Sequence, residues 1–286
     1  MSSVIPPLTR VQTTRIRGLF RDKHARQAEG TFIAEGVKAV RDLLRSFPSQ
    51  VCSLVVTRSY MRREDRHDRR LREAVSCPSY CCPDHTFDSL SDLDTPQGIL
   101  AVVRQPVWKE EDVLSRPSMF GLYGERIRDP LNVGTIIRIA AALDVTALWL
   151  TPDSADRYNP KVVRATSGAL LSLPIFFTQD ASRLVRQGCS VYAAEVKGPG
   201  VLTIDEIDRI PQRLILAVGN EGQGLSAQTR MQATCRFTIP LNPLVESLNV
   251  AATVAIATYH FQRQPKREST SSGKRCTSIN RRTQSR

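Results

Sequence analysis

Residues Arg213–Phe261 read RLILAVGNEGQGLSAQTRMQATCRFTIPLNPLVESLNVAATVAIATYHF. Leu214 to Val218 is a short apolar run suited to a buried strand. It breaks into Gly219-Asn220-Glu221-Gly222-Gln223-Gly224, a glycine-rich loop with a single carboxylate. A second apolar run, Cys235 to Pro240, ends in another loop, Leu241 to Glu246, and Ser247-Leu248-Asn249 opens a long apolar helix over Val250 to Phe261. Two strand ends therefore feed two loops, and open α/β sheets bind ligands at the carboxyl ends of their strands. Glycine lets the backbone come close to a ligand, and Ser247 or Asn249 can cap the helix that follows.

Upstream, strands and helices alternate in the same way. Met119 to Tyr123 predicts a strand, Gly134 to Leu143 a helix and Val145 to Leu150 a strand. Pro160 to Leu170 predicts a helix, Leu173 to Phe177 a strand, Ala181 to Gln187 a helix and Ser190 to Val196 a strand. This alternation implies a doubly wound domain with a parallel sheet over residues 118–263. Before it, Gln105 to Pro117 is charged and flanked by proline, with a linker drawn at 107–117. A smaller α/β unit is expected over 10–106. It has a basic amphipathic helix in Arg10 to Lys23, a strand at Phe32-Ile33-Ala34 and a helix from Val37 to Phe47. A β-rich run follows at Ser53 to Thr57, then a densely charged exposed helix or loop from Arg58 to Glu73, a helix start at Phe87 to Ser91 and a strand at Ile99 to Val103.

The chain has 286 residues and a formal net charge of +12, enough length for about two domains. A balance this basic favours a polyanionic partner, most simply nucleic acid, over the plainer reading of solubility alone. Seven Lys/Arg and one Glu lie in residues 264–286, so half of the net charge sits in a Ser/Thr/Arg-rich tail expected to be disordered. Among seven cysteines only Cys77, Cys81 and Cys82 cluster, near His85. The spacing lacks the paired ligands of a zinc site, so free thiols in a reducing cytoplasm are expected, with no metal. No apolar run approaches the roughly 20 residues of a membrane span, and the N-terminus lacks the apolar core of a secretory signal.

Three motifs stand in order along the chain. They are Arg128-Asp129-Pro130-Leu131-Asn132-Val133-Gly134-Thr135-Ile136-Ile137-Arg138; Gly219-Asn220-Glu221-Gly222-Gln223-Gly224-Leu225; and Ile239-Pro240 followed by Glu246-Ser247-Leu248-Asn249-Val250. In this order and spacing they resemble the SpoU (TrmH-type) branch of the SPOUT RNA methyltransferases. One departure is Pro243, where the family usually has glycine; proline fixes φ and removes a donor, which bears on the shape of the third loop. Gly30-Thr31-Phe32-Ile33-Ala34-Glu35-Gly36 and Thr95-Pro96-Gln97-Gly98-Ile99-Leu100-Ala101-Val102 resemble the ribosomal-protein-like substrate-binding domain that precedes the catalytic domain in this family.

The resemblance spans about residues 15–262 and carries several expectations. It implies a trefoil-knotted C-terminal domain, a homodimer, S-adenosylmethionine as methyl donor and a ribose 2′-hydroxyl of RNA, ribosomal RNA first, as acceptor. A transfer RNA substrate and a non-catalytic RNA-binding or ribosome-assembly factor are the alternatives. Backbone groups near Gly219, Ile239 and Leu248 would hold the cofactor, although local pattern alone makes Ile239 and Leu248 core residues. Arg138 is expected at the reacting hydroxyl. A guanidinium is in effect always charged, so holding the target phosphate and stabilising an alkoxide suits it better than proton abstraction. Asn132 can orient Arg138 or the ribose. Glu221 can pair with Arg138 or attract the sulfonium, or else cap the helix after Leu225. Ser247 and Asn249 can bond ribose or phosphate, or cap a helix. In the N-terminal unit, Arg15, Arg17, Arg21, Lys23, His24 and Arg26 are the candidate RNA contacts, with a solvated basic face as the plainer reading.

Overall fold

The computed structural model describes residues 5–264, and the basic tail from 265 lies outside them. Contacts group the chain into two units. Among the described residues, the first comprises 5–108 with Val133–Arg138 and Ala155–Ser172; the second comprises Lys109–Asn132, Ile139–Ser154 and 173–264.

In the first unit Thr9 starts a helix over Arg10–Arg21. Its side chain accepts from the Gln12 amide while the Gln12 side chain accepts from the Thr9 amide, a reciprocal cap. Asp22 then ends that helix and caps a second, Lys23–Glu29, so the predicted basic helix is two helices. Four strands follow: β1 (Thr31–Glu35), β2 (Val51–Thr57), β3 (Ser79–Cys82) and β4 (Ile99–Arg104). They form a mixed sheet in the order β1-β4-β2-β3, with β4 antiparallel to both neighbours and β3 parallel to β2. Ile16, Leu19 and Phe20 of the first helix pack with Ile33, Val55, Leu100 and Val102 of this sheet. The expected helix start at Phe87 to Ser91 is instead the helix Asp84–Asp88, with Pro83 at its N-cap. The charged stretch from Arg58 is two helices, Arg58–Arg63 and Arg66–Ala74. It is not wholly exposed: Asp68 and Arg72 are buried and paired with Arg41 and Glu64.

The second unit is built on seven parallel strands: β5 (Met119–Gly124), β6 (Ala147–Leu150), β7 (Ile175–Phe177), β8 (Ser190–Ala194), β9 (Leu202–Thr203), β10 (Arg213–Val218) and β11 (Cys235–Thr238). Their order is β7-β6-β5-β10-β8-β11-β9. From β5 the chain winds outward to β6 and β7, then returns to build the other half beginning against β10. β5 and β10 thus flank the point where the winding reverses, and the loops leaving their carboxyl ends are neighbours. Met119, Tyr123, Trp149, Val191, Ile215 and Ala217 fill this core. The helix after β5 runs Pro130–Ala142, starting four residues before its predicted start. Asp129 accepts from the Leu131 amide as its N-cap and Pro130 occupies the first turn, two start signals that apolar periodicity does not register. β9 was too short to read from the sequence.

Candidate active site

The second motif forms a closed loop at the end of β10. The Gly224 amide donates to the Asn220 carbonyl at 2.8 Å, and the Asn220 Oδ1 accepts from the amides of Gly222 and Gln223. A Cβ on Gly219 would lie 2.2 Å from the carbonyl carbon of Gly224. No side chain fits there, so glycine at 219 is required by the loop closing on itself. Gly224 has φ +63, the left-handed region that glycine enters freely. The helix after this loop, Ala227–Gln232, is capped by Ser226. That leaves the Glu221 carboxylate free of the capping role.

The first motif reaches this loop through Asn132, in the first turn of the helix Pro130–Ala142 and 8% exposed. Its Nδ2 donates to Glu221 Oε1. Its Oδ1 accepts from the Asn249 Nδ2 at 2.9 Å. Asn249 also caps the last described helix, Val250–Arg263, by accepting from the amides of Ala251 and Ala252. Of the two readings of Asn249, capping is the one the structure shows: its oxygen caps the helix, while its nitrogen joins the first motif. One residue from each of the three motifs meets at a single side chain.

Ser247 and Glu246 are exposed, with Leu248 and Ile239 half-buried, so the last two are not closed into the core. In the third loop Asn242 to Val245 makes a turn: the Val245 amide donates to the Asn242 carbonyl at 2.9 Å and the Leu244 amide to Asn242 Oδ1. Pro243 sits just after Asn242, where a fixed φ suits a turn and no amide donor is needed. The loop thus accommodates the residue in which the third motif departs from the pattern.

Arg138 is exposed and, among the described residues, its guanidinium makes no hydrogen bond or ion pair. Six residues of helix carry it roughly 9 Å along the axis from Asn132 and about 120° around it. Asn132, already committed to Glu221 and Asn249, does not orient it, and Glu221 pairs with Asn132 instead.

The basic candidates of the N-terminal helices divide. Arg21 and His24 are exposed and Lys23 is half-buried. Arg15 is ion-paired with Glu29 at 2.6 Å, and Arg17 donates to Ser89 at 3.4 Å. Arg26 is a correction to the sequence reading: it is 3% exposed. Its guanidinium is spent on Asp156 at 2.6 Å and on the carbonyls of Leu19 and Phe20. A buried guanidinium satisfied in this way holds structure together and is not available to a phosphate. Among the described residues no group of three His, Cys, Asp or Glu is gathered to hold a metal. Cys82 is buried with its thiol pushed up to about 12 by desolvation, while Cys81 beside it is half-buried.

Sequence reading missed Glu125, Arg126 and Asn220. Glu125 is buried and accepts from the Ser226 hydroxyl and the Thr229 hydroxyl, fixing the helix after the loop. The Asn220 Nδ2 donates to the Arg126 carbonyl at 3.0 Å. An asparagine inside a glycine-rich loop was a usable signal for local side-chain turns; nothing in the sequence marked Arg126.

Residues 119–259 match the SpoU rRNA Methylase family and residues 14–101 the MRM3-like substrate binding domain. The chain is 35% identical over 202 residues to an uncharacterized tRNA/rRNA methyltransferase of Synechocystis sp., covering 69% of this chain and 71% of that protein. It is 30% identical over 249 residues to the 23S rRNA (guanosine(2553)-2′-O)-methyltransferase RlmP of Bacillus subtilis, covering 84% and 92%. An AdoMet-bound rRNA methyltransferase from Sinorhizobium meliloti superposes with a TM-score of 0.75 at 26% identity, over 91% of this chain and 97% of that one. With its three motifs joined at Asn132 on a parallel sheet, the chain belongs to the SpoU rRNA methylase family and is an RNA ribose 2′-O-methyltransferase.

Proposed function

We propose that this chain methylates a ribose 2′-hydroxyl of ribosomal RNA, with S-adenosylmethionine as donor. The observation that carries this reading is the junction at Asn132, which ties the loop after β10 to the start of the last helix. Those two loops offer the chemistry a nucleoside sulfonium needs. Main-chain groups border Gly219 and Leu248, half-buried apolar side chains come from Ile239 and Leu248, and the exposed carboxylate of Glu221 would suit the sulfonium charge. The residues fit the cofactor, with Gly219, Ile239 and Leu248 as its holders. When bound, it supplies an electrophilic methyl group. Held by Gly219, Ile239 and Leu248, it would offer that methyl to the ribose oxygen, whose proton would leave to water or a neighbouring base.

Arg138 holds the target phosphate and stabilises the oxygen as negative charge develops on it. Its exposed guanidinium is not committed to another side chain among the described residues, which supports a substrate-facing role. Ser247 and Asn249 border the ribose, while Asn132 and Glu221 position the loops. Arg15, Arg17, Arg21 and Lys23 meet phosphates of the RNA, which position without reading sequence. The relatives that act on 23S rRNA support ribosomal RNA as the class of substrate, and that substrate supports a cytoplasmic location. The similarity to this family supports a trefoil knot within 118–263, an RNA-binding unit within 10–106 and a homodimer.

The test is transfer of labelled methyl from S-adenosylmethionine to total RNA, separated into ribosomal and transfer fractions, with Arg138→Ala alongside. Label in ribosomal RNA that drops at least about 100-fold in the variant is expected, the size of losing one charge-stabilising donor. Folding should be unaffected, since the side chain is exposed. Label confined to transfer RNA would sink the ribosomal assignment.

A further inference from the structure

Arg126 sits between β5 and the first motif, and it carries two costs at once. Its φ is +58, a left-handed conformation that a long side chain rarely adopts. Two other non-glycine residues among the described ones share that region, Asp144 and Ser167, both short and polar. Its Nε is also buried and, among the described residues, has no hydrogen-bond partner. Strain of this kind persists only where the surroundings over-determine it.

Here they do. The Arg126 amide donates to Thr151 Oγ1 at 2.8 Å, and the next amide, that of Ile127, donates to Ser154 Oγ at 3.1 Å. Those two hydroxyls are themselves 3.1 Å apart. From this fixed turn Arg126 touches the glycine-rich loop at both ends. Its carbonyl accepts from Asn220 Nδ2 at 3.0 Å, and its Nη2 donates to the Gly224 carbonyl at 3.2 Å, beside Glu125 Oε1 at 3.4 Å. Asn220 and Gly224 are the residues that close the loop on itself.

We infer that Arg126 is a positioning residue that clamps the glycine-rich loop in its cofactor-receiving shape. The inference rests on the reading of that loop as part of the S-adenosylmethionine site. A loop held in its bound shape spends less ordering entropy on binding, so the clamp acts on affinity. Its cost falls on the fold, which gives the role a distinctive signature: relieving the strain should stabilise the protein while weakening the cofactor.

The experiment uses the full chain as wild type, R126G and R126K, with equilibrium dialysis against labelled S-adenosylmethionine and thermal melting of each. R126G removes the left-handed strain and the guanidinium together. It is expected to melt at or above the wild-type temperature yet bind at least about tenfold more weakly, the loss of a charge-assisted bond and of preorganisation. R126K keeps a donor for the Gly224 carbonyl and should bind within about threefold of wild type. A merely structural residue would move melting and binding down together, and lysine would not separate them. R126G binding as tightly as wild type, or losing stability along with affinity, overturns the inference. Failure of the wild type itself to bind overturns the cofactor reading and the inference with it, a result visible before any variant is compared.

Discussion

Asn132 looked from the sequence like a partner for Arg138 or the ribose, and the structure gives it a different task. Both ends of its amide are taken by side chains from the two other motifs. Glu221 and Asn249 are exposed enough for water to replace the lost bonds, so Asn132→Ala should cost only about 1 kcal/mol of stability. Misplacing two loops costs catalysis more: kcat/KM should fall about 100-fold, because small displacements of reacting groups are expensive. Steady-state kinetics and thermal melting on the same variant check both halves. Glu35 illustrates a residue whose environment was invisible in sequence. It is buried in β1, its Oε1 accepts from Ser91, its Oε2 has no partner among the described residues, and desolvation raises its pKa, opposed by Ser91 and Arg164 and reinforced by Asp92. A carboxyl whose folded pKa is raised is bound to its proton more tightly in the native state. Its contribution is therefore favourable at acidic pH and is lost as pH rises from the ordinary carboxylate value through the raised one. Glu35→Gln should be more stable than wild type at neutral pH, with the gap closing as pH falls below the ordinary value. Melting curves across pH 3–8 read this directly, and a gap independent of pH would count against it.

Elements show the same division between pattern and context. Apolar periodicity found nearly every strand of the parallel sheet, because fully buried strands are continuous apolar runs. It placed the first-motif helix four residues late, since Asp129 and Pro130 start that helix by capping chemistry, with no apolar residue involved. The third loop turns on Pro243. As a turn residue with a preset φ and no amide to satisfy, it narrows the unfolded chain without straining the folded one. Pro243→Ala should lower stability by about 0.4–1 kcal/mol through the unfolded state and leave methyl transfer close to wild type. A large activity loss with little change in melting would mean that the proline itself shapes the site. The helix Val250–Arg263 is buried along Val254, Ala257 and Phe261 but leaves Ile256 and Tyr259 exposed three residues apart, on one face.

For the molecule as a whole, that exposed face bears on the proposed homodimer. An exposed isoleucine and tyrosine on one face of this helix offer an apolar surface for a second copy of the chain. Ile256→Glu should shift the species seen by size-exclusion with light scattering from dimer toward monomer at micromolar concentration, at little cost to folding. A wild-type monomer under the same conditions would count against a dimer at this face. The net charge of +12 favours a polyanionic partner, but half of it lies beyond the described residues, so it speaks for RNA in general and not for any one surface.

The sequence alone determined the family resemblance, the parallel-sheet class and the loops proposed to carry the site. These follow from local facts: apolar runs make buried strands, glycines make tight loops, and three motifs in fixed order are improbable by chance. Gly219 was found this way, though the reason the structure gives is loop closure against Gly224. The tertiary structure decided which polar side chains meet. Arg26 became a buried partner of Asp156, 130 residues away, and Asn132 joined Glu221 and Asn249, 89 and 117 residues away. Arg126 took a left-handed turn set by Thr151 and Ser154. Hydrogen bonds between residues this distant leave no periodicity in the chain; they exist only once folding has brought those residues together.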